Sequence, residues 1–224
     1  RTGDGAVIDP RADVAAGARI GPDVEIGPWT IIGPEVEIGA GTRIEAFSVV
    51  KGPTVIGPGN HIYSFCSIGD DPQDKKFDPH GGDSRLEIGR GNIIREYCSI
   101  NRGTPGGGGV TRIGDDNWIM AYCHIAHDCQ IGQRTVFANN STLAGHVEIH
   151  DHVILGGFTG VHQFCRMGEG SFSAIAAVVV RDVPPFTMVK GNHAQPRCLN
   201  SIGLRRRGYD ATTLAALKRC YRAL

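Results

Sequence analysis

Residues 19–45 read RIGPDVEIGPWTIIGPEVEIGAGTRIE. Every sixth residue of this stretch is aliphatic: Ile20, Ile26, Ile32, Ile38 and Ile44. The same step reaches back to Val14 and Ile8, and forward through Val50, Ile56, Ile62 and Ile68. A second block carries Ile113, Ile119, Ile125, Ile131, Phe137, Leu143, Ile149, Leu155, Val161 and Met167 at the same spacing, and Ile88, Ile94 and Ile100 join the two. With 41% hydrophobic residues in the chain, 21 consecutive hits would arise by chance on the order of 10⁻⁸ times per register. The period is real.

A period of six matches neither the 3.6 of a helix nor the 2 of a lone strand. It matches a β-helix, in which short strands alternate with Gly- or Pro-bearing turns and each coil stacks on the one before. Three hexads close one triangular coil. Large aliphatics fill its interior, and small residues four positions later, such as Ala12, Ala18, Thr30, Thr42 and Ser48, suit its tight corners. The expected fold is therefore all-β, a parallel β-helix of about eight coils, about 38 Å tall at the spacing of paired strands.

The count is broken twice, at 70–86 (DDPQDKKFDPHGGDSRL) and 102–112 (RGTPGGGGVTR). Both stretches are polar and rich in Gly and Pro, so they are expected to leave the coil as loops, where binding groups tend to sit. The repeat runs over 1–183 and stops at the paired prolines. Residues 184–224 are expected to be a mainly helical, truncated segment, with Leu214, Leu217, Tyr221 and Leu224 on one face and Asp210 as N-cap.

Bulk properties narrow the partners. The 23 basic and 23 acidic residues cancel, which gives no electrostatic reason to expect nucleic acid. No apolar run is long enough to suggest a transmembrane helix. The opening RTGDGAVIDP has no initiator Met and no apolar signal core, and reads as a trimmed start. Of the seven cysteines, Cys66, Cys98, Cys123, Cys129 and Cys165 fall on the small inward position. Buried unpaired thiols suit a reducing compartment, so a cytoplasmic location is expected.

Folding the chain at three hexads per coil also aligns its polar groups. Gly145 and Gln163 fall above His127, His146 falls above Asp128, and His162 and His124 lie close by. Three readings of this column stand at this point. It is ordinary turn polarity, or a zinc site completed by a neighbouring subunit, or a site for acyl transfer. In the last, His127 is the base, Asp128 or His146 holds its tautomer, and the Gly145 backbone N–H receives a developing oxyanion. No exposed Ser or Cys is set up as a nucleophile, which favours direct transfer.

The hexad pattern resembles the hexapeptide-repeat transferases, and that resemblance implies a left-handed coil. More specifically, HIAHDCQIG, ANNSTLAGHVEI, GGFTGVHQFCRMG, VPPF, GNHAQP and GLRRRGY, with SIGDDPQDKKF in the first loop, follow one another as in the UDP-N-acetylglucosamine O-acyltransferase family of lipid A biosynthesis. The resemblance implies a homotrimer with active sites between subunits and no cofactor or metal. It also implies transfer of a 3-hydroxyacyl chain from acyl carrier protein to the sugar 3-position of UDP-N-acetylglucosamine. In its terms His127, Asp128 and Gly145 are catalytic. Gln73, Asp74, Lys76, His124, His146, His162, Gln163, Asn200 and Arg206 bind substrate, and Ile175 rules the acyl chain length, to about ten carbons or fewer. Arg205 to Arg207 offer positive charge to an acidic carrier protein. Ile202 and Asn101 depart from the family pattern, which has Glu and His there. Acetyl-CoA-dependent acetyltransferases and zinc-binding, carbonic-anhydrase-like coils share the scaffold and are the competing classes.

Overall fold

The computed structural model describes residues 2–223. Its strands are mostly two residues long and wind into a left-handed parallel β-helix with three faces. The first face begins with Val7–Ile8, the second with Asp13–Val14 and the third with Arg19–Ile20. Among the described residues the third face has eight parallel strands, the second has nine, and the first has ten plus one antiparallel strand at its end. Val7 pairs with Glu25, an offset of 18. The offset rises to 32 where His61 pairs with Ile93 across the first loop, and to 25 where Ile93 pairs with Trp118 across the second. The register then returns to 18, as Trp118 pairs with Val136. The insertions leave the coil and the stacking resumes beyond them, with a local register shift between Ile68 and Asp70 where the first one exits.

Burial follows the hexad. Of the aliphatics at the sixth position, Ile8 and Val14 at the open end are partly buried, and the other members of the two long blocks are 5% exposed or less. Corner residues such as Asp128, His146 and Phe164 adopt φ near +60°. A non-glycine residue pays roughly 1–2 kcal/mol for that conformation, which is sustained because coil closure fixes the corner from both sides. The five inward thiols are buried as expected, while Cys198 and Cys220 are exposed.

Beyond residue 183 the chain is not mainly helical from the start. A hairpin of Thr187–Lys190 and Gln195–Leu199 comes first, and Thr187–Lys190 extends the first face by pairing with Phe172–Ser173. The last coil would otherwise present unpaired backbone groups on that face, and the hairpin covers them. Helices α1 (Ser201–Arg206) and α2 (Ala211–Ala223) follow. Asp210 caps α2 by accepting from the Thr213 N–H at 2.7 Å. Leu214 and Leu217 pack with Leu199, Leu204, Phe186 and Tyr209 in a second small core. Leu224 lies outside the described residues. No helix among the described residues is long and apolar enough to cross a membrane.

Candidate active site

The column expected at the edge between the second and third faces is in register. His124 pairs with Thr142 and Thr142 with Gly160, so the turns that follow them stack. The His146 N–H donates to the His127 carbonyl at 3.0 Å, and the Phe164 N–H donates to the Gly145 carbonyl at 3.2 Å. His127, Gly145 and Gln163 thus rise along one edge on three successive coils.

Within the column, His127 Nδ1 lies 2.8 Å from Asp128 Oδ2. Asp128 is 4% exposed, so the oxygens of its carboxylate must find their hydrogen-bond donors within the protein. The second loop supplies two of them: the Thr104 N–H donates to Oδ1 at 3.0 Å and the Thr104 hydroxyl to Oδ2 at 2.7 Å. The Asp128 N–H donates to Thr111 Oγ1 at 2.8 Å, which fixes the backbone as well. His146 Nε2 stands 3.8 Å from Asp128 Oδ2, outside hydrogen-bond range, and its ring stacks on Phe164 at 4.6 Å. Asp128 is therefore the partner of His127, and His146 is held by Phe164.

With Nδ1 engaged, Nε2 of His127 has no hydrogen-bond partner among the described residues. A Cβ placed on Gly145 would come 2.8 Å from that nitrogen and 2.6 Å from the neighbouring Cε1. The imidazole lies directly against the glycine, and only glycine leaves it room. The Gly145 N–H donates to no protein acceptor among the described residues, so a donor is open beside the base.

His127, Asp128 and His146 also offer three atoms within 4.8 Å of one another, the kind of set a metal ion could use. Their observed partners are those of a hydrogen-bonded array: Asp128 Oδ2 accepts from the Thr104 hydroxyl at 2.7 Å and lies 2.8 Å from His127 Nδ1.

The remaining expected residues divide into three groups. His124 is half-buried with its Nδ1 2.7 Å from the Ser99 hydroxyl; burial, and then the neighbouring His127, hold its pKa below the ordinary histidine value. His162 and Gln163 are exposed at the top of the column. Asp74 and Lys76 line a hollow of 270 Å³ together with Thr104, Pro105 and Gly106, which brings the two loops together beside the column, and Gln73 is exposed next to them. Asn200 and Arg206 are not brought to His127 within one chain. They line a separate groove of 740 Å³ with Phe172, Met188 and Ile202 beyond the first face. Asn200 is also committed locally, since its Oδ1 accepts from the Gly203 N–H at 3.1 Å and its amide donates to the Gly170 carbonyl at 3.0 Å. Ile175 is 74% exposed on the edge between the first and second faces. Asn101, at the position where the family pattern has His, is buried and donates to the Asp71 carbonyl at 3.0 Å.

Sequence reasoning missed Thr104, Thr111, Gly107 and Phe164. Phe164 was accessible, because it stands one full coil after His146. Thr104 and Gly107 sit in a loop that obeys no period.

The repeat is that of the bacterial hexapeptide transferases, whose model matches residues 1–34, 17–52, 35–70 and 111–145. A second model, described as UDP N-acetylglucosamine O-acyltransferase domain 2, matches residues 182–224. A curated acyl-[acyl-carrier-protein]–UDP-N-acetylglucosamine O-acyltransferase of Thiobacillus denitrificans is 57% identical over 165 residues, covering 74% of this chain and 63% of that protein. The corresponding protein of Verminephrobacter eiseniae is 52% identical over 79% of this chain and 66% of its own length. The solved UDP-N-acetylglucosamine acyltransferase of Francisella novicida superposes with a TM-score of 0.95 at 42% identity, over 97% of this chain and 79% of that one. That of Campylobacter jejuni gives 0.92 at 41%, over 96% and 83%. The chain belongs to the UDP-N-acetylglucosamine O-acyltransferase family. It spans somewhat less than two thirds of the length of the Thiobacillus relative.

Proposed function

We propose that the protein transfers a 3-hydroxyacyl chain from acyl carrier protein to the glucosamine 3-position of UDP-N-acetylglucosamine, the first step of lipid A biosynthesis, in the cytoplasm and without a cofactor. One observation carries the reading: an imidazole whose Nδ1 is held by a buried carboxylate presents Nε2 beside an undonated backbone N–H. In the chemistry this supports, Nε2 takes the proton of the sugar hydroxyl as its oxygen attacks the thioester carbonyl. The new C–O bond forms, and the carbonyl oxygen gathers negative charge toward the Gly145 N–H. The C–S bond then breaks and the proton passes from the imidazolium to the departing thiolate. Asp128 stabilises the imidazolium between the two transfers.

A homotrimer with sites between subunits is part of this reading, and the distribution of charge supports it. The third face satisfies its charges with ion pairs of its own, such as Arg112–Glu87 at 2.7 Å and Arg166–Glu148 at 3.2 Å, and suits water. The edge between the first and second faces instead exposes a stack of Phe47, Phe65, Tyr97 and Tyr122, with ring centres about 5 Å apart. Exposed Trp118 and Ile31 flank it. Apolar surface of that extent marks a protein contact. If the first face of one chain meets the second face of the next, a closed ring of three carries one chain's Arg206 toward its neighbour's His127 column. Asn200 and Arg206, distant from His127 in one chain, then share a site with it.

The test is a mass-spectrometric transfer assay with UDP-N-acetylglucosamine and a series of acyl carrier protein thioesters, with acetyl-CoA as the competing donor. Transfer of 3-hydroxyacyl chains is expected, and His127→Ala should lose at least about 10²-fold. Transfer from acetyl-CoA alone, or near-full activity in the variant, defeats the reading.

A further inference from the structure

The second loop opens with Arg102, Gly103 and Thr104, and each end of this tripeptide grips one half of the site. At one end Arg102 is 9% exposed. Its Nη2 meets Asp71 Oδ1 at 2.7 Å, its Nη1 donates to the Gly52 carbonyl at 2.6 Å, and its guanidinium lies 5.5 Å from the centre of the Phe77 ring. Asp71 and Phe77 bracket Gln73, Asp74 and Lys76, so one buried cation ties down both ends of the exposed stretch that carries them. At the other end Thr104 gives two of the donors within hydrogen-bond distance of the Asp128 carboxylate.

The link between the two ends is held short and rigid. The Gly103 N–H donates to the Arg85 carbonyl at 3.0 Å, and a Cβ on Gly103 would come 2.2 Å from the Val110 nitrogen, so the backbone passes where no side chain fits. Further along, a Cβ on Gly107 would lie 2.2 Å from Asp128 Oδ2 and 2.6 Å from His146 Cε1, which means that the loop backbone covers the carboxylate and excludes water from it.

We propose that Arg102–Gly103–Thr104 is the positioning element of the site. Thr104 orients Asp128 and, through it, Nε2 of His127; Arg102 holds the loop bearing Asp74 and Lys76 over the same column. Neither side chain touches the reacting atoms. The proposal rests on the acyl-transfer reading above, with His127 as base and the first loop as a substrate contact. It assigns the two residues separable effects. Thr104 acts on the base and should govern turnover, whereas Arg102 acts on a binding loop and should govern substrate affinity.

Steady-state kinetics on the full-length protein, with UDP-N-acetylglucosamine as the varied substrate, tests both. Thr104→Val keeps the shape and removes the hydroxyl donor to a charged acceptor, so kcat should fall about tenfold or more with KM unchanged. Thr104→Ser should restore kcat. Arg102→Met keeps the stem and removes the ion pair, and should raise KM about tenfold with kcat within about twofold. Should Arg102→Met fail to fold, Asp71→Asn removes the same ion pair from its exposed partner and should give the same rise in KM. Wild-type kcat in Thr104→Val, or loss in Thr104→Ser equal to that in Thr104→Val, overturns the proposal. So does a fall in kcat without a rise in KM in the Arg102 or Asp71 variant. His127→Ala separates the two levels: if it is inactive while Thr104→Val turns over normally, the positioning role is wrong and the acyl-transfer reading stands. If His127→Ala is itself active, that reading fails first.

Discussion

Gly145→Ala is the most direct perturbation of the column. The added methyl would stand 2.6 Å from Cε1 and 2.8 Å from Nε2 of His127. Ordinary carbon contacts begin near 3.5 Å, so the ring must retreat by about 0.9 Å. It cannot swing freely, because Nδ1 is bonded at 2.8 Å to an Asp128 that Thr104 fixes in turn. The retreat therefore stretches that bond or tilts Nε2 away from the hydroxyl that the proposed function has it deprotonate. A displacement of about 1 Å in a catalytic group costs on the order of 10² in rate. The variant should lose roughly that factor in kcat while keeping its fold, since the methyl meets a side chain and not the backbone of the coil. Initial rates of acyl transfer, followed by mass spectrometry, measure the loss, and thermal unfolding checks the fold. Activity within a few-fold of wild type would mean that the imidazole does not work from the position described.

Three further outcomes are expected. Burial first, and then nearby positive or ionisable groups, hold the pKa of His124 and of His152 below the ordinary histidine value. Unfolded, both bind a proton near pH 6.5, and folded only at lower pH, so the unfolded state binds more protons in between. Stability is then complete above about pH 6.5 and falls on acidification below it, ahead of carboxylate protonation near pH 4. Thermal unfolding between pH 7.5 and 5 should show this slope, and replacing both histidines by Gln should flatten it; an unchanged slope in that double variant counts against the cause given. Ile175 lies nearly three coils above His127, about 13 Å along the prism axis. If Ile175 closes the acyl-chain path of the proposed function, thioester competition should favour chains of about ten carbons or fewer, and Ile175→Gly should move the preference toward fourteen. A wild-type preference for fourteen carbons would remove Ile175 from that role. Burial pushes the Cys129 thiol up to about 12 and also raises that of Cys165. Among the seven cysteines only Cys198 and Cys220 are exposed, so a thiol reagent should modify at most these two in the native protein and all seven in denaturant. Rapid modification of a third would show that the coil opens locally.

The hexad in the sequence determined the coil, its buried aliphatics and thiols, and the vertical order of His127, Gly145 and Gln163. These are consequences of a fixed period, because in a stacked coil a position three hexads later in the chain is also the neighbour above. That periodicity also exposed the glycine of the column, though not its reason: Gly145 is small because an imidazole lies against it. Only the tertiary structure decided what the aperiodic segments do. It showed that Thr104 reaches Asp128, that Arg102 ties down the first loop, that Asn200 and Arg206 lie away from His127 within one chain, and that a hairpin precedes the helices. Loops obey no stacking rule, so where a side chain such as Thr104 ends depends on the path of the whole excursion and on the contacts that fix it, which local sequence does not encode.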